Sequence, residues 1–257
     1  MAQKCRNIDA INLKSYSLSE NDKIMLMYSR ECGLIRGVAK GCKKTKSKLG
    51  GRMDLLMANC VMISSGRNLN TICEARSINA FKGSRESIEK LMFSSYVSEV
   101  VGAFRVENDP CSEEVYELLY GTLETISSGC ESKVEIVVVV LKFLLKFLHV
   151  AGLAIELNTC LCCGNRLGDE ELFFSPMRGG VLCKECLGVE DVSVKLHYKL
   201  RDFLVALEGT DFDKRCEYEA VATERVCMAC FDMLRKYVQL HCGKAIKSVE
   251  LIASTCN

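Results

Sequence analysis

A chain of 257 residues, 49% hydrophobic and 26% charged, has the composition of a soluble globular protein long enough to bury a real core in one to three domains. Lys and Arg number 34 against 33 Asp and Glu, a formal net charge of +1, so no whole-protein field favours an acidic partner. Any attraction to nucleic acid or membrane must come from uneven placement of charge.

The chain opens with MAQKCRNIDAINLK, which has neither an apolar core of signal-peptide length nor a small-residue cleavage site. The expectation is an intracellular protein. Seventeen cysteines would suggest a disulfide framework in a secreted chain, but an odd count fits complete pairing poorly. Most are read as reduced, small, semi-buried hydrophobes, among them Cys5, Cys60, Cys73, Cys111 and Cys130.

Five segments rich in β-branched and aliphatic residues follow: Ile8–Ser15, Ile24–Ser29, Leu34–Lys40, Met53–Ser64 and Leu69–Ala80. Most are bounded by Gly, Asn, Asp or Ser, and they read as strands. Five short strands suit a small closed barrel, of OB or SH3-like type.

On the end of the third strand and the loop after it runs RGVAKGCKKTKSKLGGR. Its 17 residues carry seven cations and no acid: Arg36, Lys40, Lys43, Lys44, Lys46, Lys48 and Arg52. Glycines and a serine are expected to keep its backbone mobile. Each cation that neutralises a phosphate releases condensed counterions, so such a cluster binds nucleic acid in a salt-dependent way. A solvated charged loop is the other reading of the same charges. Gly37 and Gly41 are too close for a Walker A motif, and Lys43 does not directly follow a glycine. Tyr16 and Tyr28 are the available stacking platforms, so contact would be mainly with backbone phosphates.

From Ser84 the apolar period becomes helical, with Ile88, Leu91, Met92, Tyr96, Val97, Val100, Val101 and Phe104 in register. Asp109-Pro110 is a start signal for a second helix, which continues to Ser127-Ser128-Gly129. Val134–Leu157 is apolar enough to raise a membrane span. However, Lys142, Lys146 and His149 fall at i, i+4 and i+7, on one face, which favours an amphipathic core helix with a polar stripe. Further helices are expected over Val194–Leu207 and Ala220–His241.

Within the helical region stands Cys160-x2-Cys163, then 19 residues, then Cys183-x2-Cys186. A two-residue gap lets two sulfurs from one tight turn reach the same ion, and two such turns complete the tetrahedron of thiolates that structural zinc prefers. Cys162 lies inside the first turn as a substitute ligand, but Cys162 and Cys163 are too close in sequence to share the turn. Glu171–Ser175 and Val181–Leu182 can pair as a hairpin between the two turns. Four protein ligands leave no open position, so a metalloenzyme is disfavoured, and the lack of a phosphate loop disfavours a nucleotide-dependent enzyme; the expectation is a protein that is not an enzyme. No catalytic residue is assigned. A second pair, Cys227-x2-Cys230, lies in a helical pattern and reads as core packing rather than a redox site.

Taken in order, these pieces resemble the bacterial RecO family of recombination mediators. The carrying stretches are Ala10–Leu13, Asp22-Lys23-Ile24, and Gly33–Gly41 with the lysine-rich loop. They continue with the CxxCG turn at Cys160–Gly164, Phe174-Ser175-Pro176 to Gly179-Gly180 leading into Cys183-x2-Cys186, and Lys247-Ser248. The resemblance covers essentially the whole chain. It implies an α+β protein: an N-terminal five-stranded OB-fold barrel, then an all-helical domain with an inserted four-cysteine zinc finger. The corresponding segments are 1–82 for the barrel, 83–158 and 191–257 for the helical domain, and 159–190 for the finger.

The resemblance further implies binding to single- and double-stranded DNA and annealing of complementary strands. It implies partnership with RecR and with single-stranded DNA-binding protein, to help load RecA onto coated DNA in the cytoplasm, at the nucleoid. The seven cations match the family's positively charged barrel region, and the four cysteines match its zinc knuckles. Some members lack those knuckles, which points to a structural role for the metal. The high cysteine content departs from the family. A zinc-ribbon adaptor or RNA-binding protein of transcription and RNA metabolism is the alternative.

Overall fold

The computed structural model describes residues 5–66, 69–188, 192–210 and 222–254. They form two compact units, one from the described residues up to 129 and from 246 onward, the other from those between 130 and 245.

The first unit contains the barrel. Its strands are β1 (Cys5–Ser17), β2 (Lys23–Ser29), β3 (Gly33–Ala39), β4 (Ala58–Ser64) and β5 (Asn70–Asn79). They close in the order β1-β2-β3-β5-β4, with β3 and β5 parallel and β1 returning to β4. The α+β class and the five-stranded OB barrel expected from sequence are what is found. Alternation along the strands fills the barrel, with Ile8, Ala10, Met25, Met27, Ile35, Val61, Ile63 and Ile72 all buried inside.

Strand β4 starts later than its apolar run suggests. Met53 belongs instead to a 3-10 turn at Gly50–Met53, and Leu56 turns left-handed at φ 58°. The cause lies far off in sequence: the buried Asn12 amide donates to the carbonyls of Arg52 (2.8 Å) and Asp54 (2.7 Å), fixing the chain as a turn.

Helices α1 (Ile88–Phe104), α2 (Ser112–Gly129) and α6 (Ser248–Ser254) complete this unit. Helix α1 starts at Ile88, capped by Ser87, whose hydroxyl accepts the Lys90 N–H at 3.1 Å; Ser84 lies in a preceding 3-10 turn. Helix α6, absent from the sequence reading, packs on α1, where Glu99 accepts both the N–H and the hydroxyl of Ser248 at 3.0 Å.

One buried ionic knot joins barrel and helices. The Asp109 carboxylate, beside the start of α2, accepts the Arg105 Nε (2.5 Å) and Nη2 (2.6 Å), the Tyr28 hydroxyl (2.6 Å) and the Cys111 N–H (3.0 Å). Burial works to raise its pKa, but these donors outweigh burial and hold the carboxyl below its ordinary value. Burial, then the Asp109 hydrogen bond, push the Tyr28 phenol well up. Gly33 lies against the knot at φ 68°, where an added Cβ would sit 2.5 Å from the Asp109 Cβ.

The second unit holds α3 (Lys133–Val150), β6 (Leu172–Ser175), β7 (Gly180–Cys183), β8 (Val194–Leu196), α4 (Tyr198–Glu208) and α5 (Glu224–Cys242). Helix α3 begins with a Ser132/Glu135 capping box. It ends well before Leu157, because Gly152 adopts φ 71° and the Leu153 N–H turns back to the Leu148 carbonyl at 2.8 Å. The expected polar stripe is not uniform: Lys142 is buried, Lys146 half-buried and His149 exposed. No helix among the described residues is long and apolar enough to cross a membrane.

The expected helix at Val194 begins instead as strand β8. Its three residues pair with β6, and His197 then caps α4. Helix α5 starts at Glu224 behind the Thr223 cap; Ala220, where a helix was expected to begin, lies outside the described residues.

Two outcomes test the knot. Asp109→Ala strands a buried guanidinium and is expected to cost about 3–5 kcal/mol, and Tyr28→Phe roughly 1.5–3 kcal/mol, both read from urea unfolding. Because the folded-state pKa of Asp109 lies below its ordinary 3.8, its contribution is complete above that value and fades as pH falls below it. Wild type should therefore lose stability on acidification more steeply than Asp109→Asn. Parallel pH curves would contradict this.

Candidate metal centre and nucleic-acid interface

The loop after α3 and strand β7 bring four sulfurs together. The Sγ atoms of Cys160, Cys163, Cys183 and Cys186 all lie within 4.8 Å of one another. A tetrahedron of thiolates about 2.3 Å from one ion would place sulfurs just under 4 Å apart. The Cys163–Cys183 separation is 4.0 Å. These residues thus fit a single metal ion with no open ligand position.

The backbone builds the first turn. The Gly164 N–H closes it onto the Cys160 carbonyl at 2.9 Å, and Gly164 takes φ 72°, which glycine adopts without strain. The second turn follows β7 as a 3-10 segment, Lys184–Cys186. Strands β6 and β7 pair Leu172 with Cys183 through Ser175 with Gly180, giving the expected hairpin, and β8 makes it a three-stranded sheet.

Helices brace this module. Phe174 meets Tyr237 of α5 edge-on at 5.8 Å, and the Arg201 guanidinium of α4 donates to the Leu167 carbonyl at 2.8 Å. Gly179, at φ 72°, lets Tyr237 approach; a Cβ there would lie 2.8 Å from its hydroxyl. Outside, Glu171 bridges Lys184 (2.6 Å) and Lys195 (2.5 Å), and these two ammonium groups hold its carboxyl down at about 2.

Proton affinities across the cluster are uneven. Burial works to raise the Cys160 thiol, yet N–H groups of Cys163, Cys183 and Cys162 bring it down to about 6. Crowding by Cys183 and Cys163 pushes Cys186 well up. A cation is what lets several thiolates share so small a volume.

The other cysteines stand apart from this cluster. Cys162 is exposed and is not one of the four clustered sulfurs. Cys227 and Cys230 are buried in α5, and burial pushes their thiols up to about 11 and about 12, as core packing requires. Fifteen cysteines lie among the described residues, and none of these forms a disulfide. Cys5 and Cys73 are exposed rather than semi-buried.

The cationic segment lies in the other unit, on the barrel. All seven of Arg36, Lys40, Lys43, Lys44, Lys46, Lys48 and Arg52 are exposed. Arg36 stands on β3 and the rest on the loop that follows it. That loop is anchored rather than loose. Cys42, Leu49 and Met53 insert into the barrel core, and the Gly41 N–H donates to Asp22 Oδ1 at 2.7 Å. The Gly41 N–H and Ser19 hold the Asp22 carboxyl below its ordinary range, helped by the nearby Lys40 and Lys44.

Not every cation is equally available. The Lys43 ammonium donates to the Ser17 hydroxyl (2.6 Å) and the Ser19 carbonyl (2.8 Å), and Arg52 to the Lys48 carbonyl (2.6 Å). Arg36, Lys46 and Lys48 make no side-chain hydrogen bond or ion pair among the described residues. Of the two expected stacking platforms, Tyr28 is excluded because it is fully buried in the ionic knot, whereas Tyr16 is 48% exposed.

Comparison with known proteins bears on the family of the chain. Residues 1–81 match the family model described as Recombination protein O N terminal, and residues 85–250 match Recombination protein O C terminal. The DNA repair protein RecO of Synechococcus sp. (strain JA-3-3Ab) is 31% identical over 258 residues, covering 96% of this chain and 84% of that protein. The DNA repair protein RecO of Desulforamulus reducens is 27% identical over 249 residues, covering 97% and 94%. That of Gloeobacter violaceus is 27% identical over 255 residues, covering 98% and 94%. With both family models matched in order and relatives similar over nearly their whole length, the chain belongs to the RecO family of DNA repair and recombination proteins.

Proposed function

We propose that this chain is a non-enzymatic recombination mediator. It binds single- and double-stranded DNA through the barrel, anneals complementary strands, and acts with RecR to help load RecA onto DNA coated by single-stranded DNA-binding protein. The reading places it in the cytoplasm, at the nucleoid. The observation that carries it is the anchored loop with seven exposed cations in a chain whose net charge is only +1. Anchoring matters because an ordered loop has already lost part of the entropy that binding would otherwise cost. Arg36, Lys40, Lys43, Lys44, Lys46, Lys48 and Arg52 act as phosphate contacts. Lys43 and Arg52 also hold the loop in shape.

Cys160, Cys163, Cys183 and Cys186 hold one structural zinc ion in this reading. An all-sulfur tetrahedral set suits zinc among the common intracellular metals. The ion ties the turn after α3 to the end of the β6-β7 hairpin and takes no part in chemistry.

Replacing Arg36, Lys44 and Lys46 together by Ala should lower the slope of log affinity against log salt by up to about three on duplex DNA. Fluorescence anisotropy across a salt series reads this, and an unchanged slope would remove the loop from the interface. Equal preference for RNA would favour the adaptor alternative. Pull-down with RecR and single-stranded DNA-binding protein from the same organism tests the partners.

Protein purified without chelators should carry about one zinc per chain by elemental analysis. Cys183→Ser should fall well below that content, whereas Cys162→Ser should keep it. A zinc-free wild type with all thiols titratable would exclude the metal.

A further inference from the structure

Tyr16 is an exposed aromatic of the barrel wall that phosphate binding does not use. Its ring is 48% exposed on β1, and the Lys14 ammonium stands 5.6 Å from the ring centroid. Strand register shows what lies beside it. Tyr16 pairs with Ile24 and Ile24 with Val38; Lys14 pairs with Leu26 and Leu26 with Arg36. Directly paired residues point to the same side of a sheet. The inner side is taken by Met25 and Met27, both fully buried. Lys14, Tyr16 and Arg36 therefore share the outer face of β1-β2-β3. Two strand spacings, about 10 Å, separate Lys14 from Arg36. Near the end of β1, Lys43 is held against Ser17 and Ser19.

We infer that Tyr16 is a stacking platform for an unpaired base, with Lys14 and Arg36 receiving the flanking phosphates. The ligand is single-stranded DNA. This inference rests on the proposed DNA-binding function and adds strand selectivity to it. The cationic loop contacts phosphates, which duplex and single strand both present. An exposed ring distinguishes them, because a base inside a duplex already has both faces covered by its neighbours. Stacking on one aromatic ring is insensitive to sequence, since every base offers a flat face.

The chain contains no tryptophan, so Tyr16→Trp introduces a single reporter at this position. Titrating the full-length variant with oligothymidine should quench its fluorescence, and a duplex of equal length should leave it nearly unchanged. Tyr16→Ala should weaken oligothymidine binding about tenfold. The salt slope and the duplex affinity should stay at wild-type values. Tyr16→Phe should bind as wild type, and Lys14→Ala should lower the single-strand slope by about 0.7.

Absence of quenching by oligothymidine, or equal quenching by duplex, overturns the inference. So does a Tyr16→Ala protein that binds oligothymidine as wild type or loses both DNA forms alike. Wild type that binds neither form would instead defeat the functional reading itself, so the two failures are distinguishable.

Discussion

The first unit depends on a single buried carboxylate. Asp109 accepts from β2 through Tyr28, from the residue following α1 through Arg105, and from the backbone entering α2 through Cys111. Each donor belongs to a different segment, so the carboxylate fixes the barrel relative to its two flanking helices. Burying a charge is costly unless it is paired and fully hydrogen-bonded. Here the pairing is bidentate and all the donors converge. Gly33 completes the constraint, since any side chain there would drive β3 away from Asp109. The strand it begins carries Arg36 and leads into the cationic loop, so the knot indirectly sets where the charges stand.

The second unit is closed by a different device. Its three-stranded sheet is too small to bury a core of its own, and strands of three or four residues are marginal without support. Phe174 against Tyr237 supports one end of it, and four sulfurs close enough to share one ion stand at the other. Metal sites in small modules do this work because ligand binding and local folding share one free energy. The chain thus uses an internal ion pair in one unit and a cysteine cluster in the other, both to hold elements that hydrophobic burial alone would leave free to slide.

How much of this was legible follows from where each signal resides. The four cysteines were readable because chelation is encoded in their local spacing, and the barrel because strand alternation is local as well. The start of β4 was not, since Asn12 dictates it from 40 residues away. Strand β8 reads as helix because its three residues become extended only by pairing with β6. Tyr28 looks like an accessible aromatic until Asp109, 81 residues on, claims its hydroxyl. Lys142 suggests a solvated stripe on a helix whose neighbours in fact cover it. Each of these misreadings involves a partner distant in sequence. Glycines in the cationic loop suggest looseness, but Cys42, Leu49 and Met53 carry the opposite signal by reaching the core.

A balanced net charge also has a consequence for recognition. At physiological ionic strength the screening length is about 8 Å, so carboxylates across the molecule scarcely weaken the field over the loop. What a phosphate meets is the local set, and between Arg36 and Arg52 that set contains no acid. The rest of the chain can then remain near neutrality and avoid the self-repulsion that a uniformly basic protein carries. Asp22 is the informative exception. It sits beneath Lys40 and Lys44, but its carboxylate is turned to the Gly41 N–H, where it holds the loop's first bend. An acid placed that way spends its charge on backbone geometry, and leaves Lys44, Lys46 and Lys48 facing solvent along the same loop.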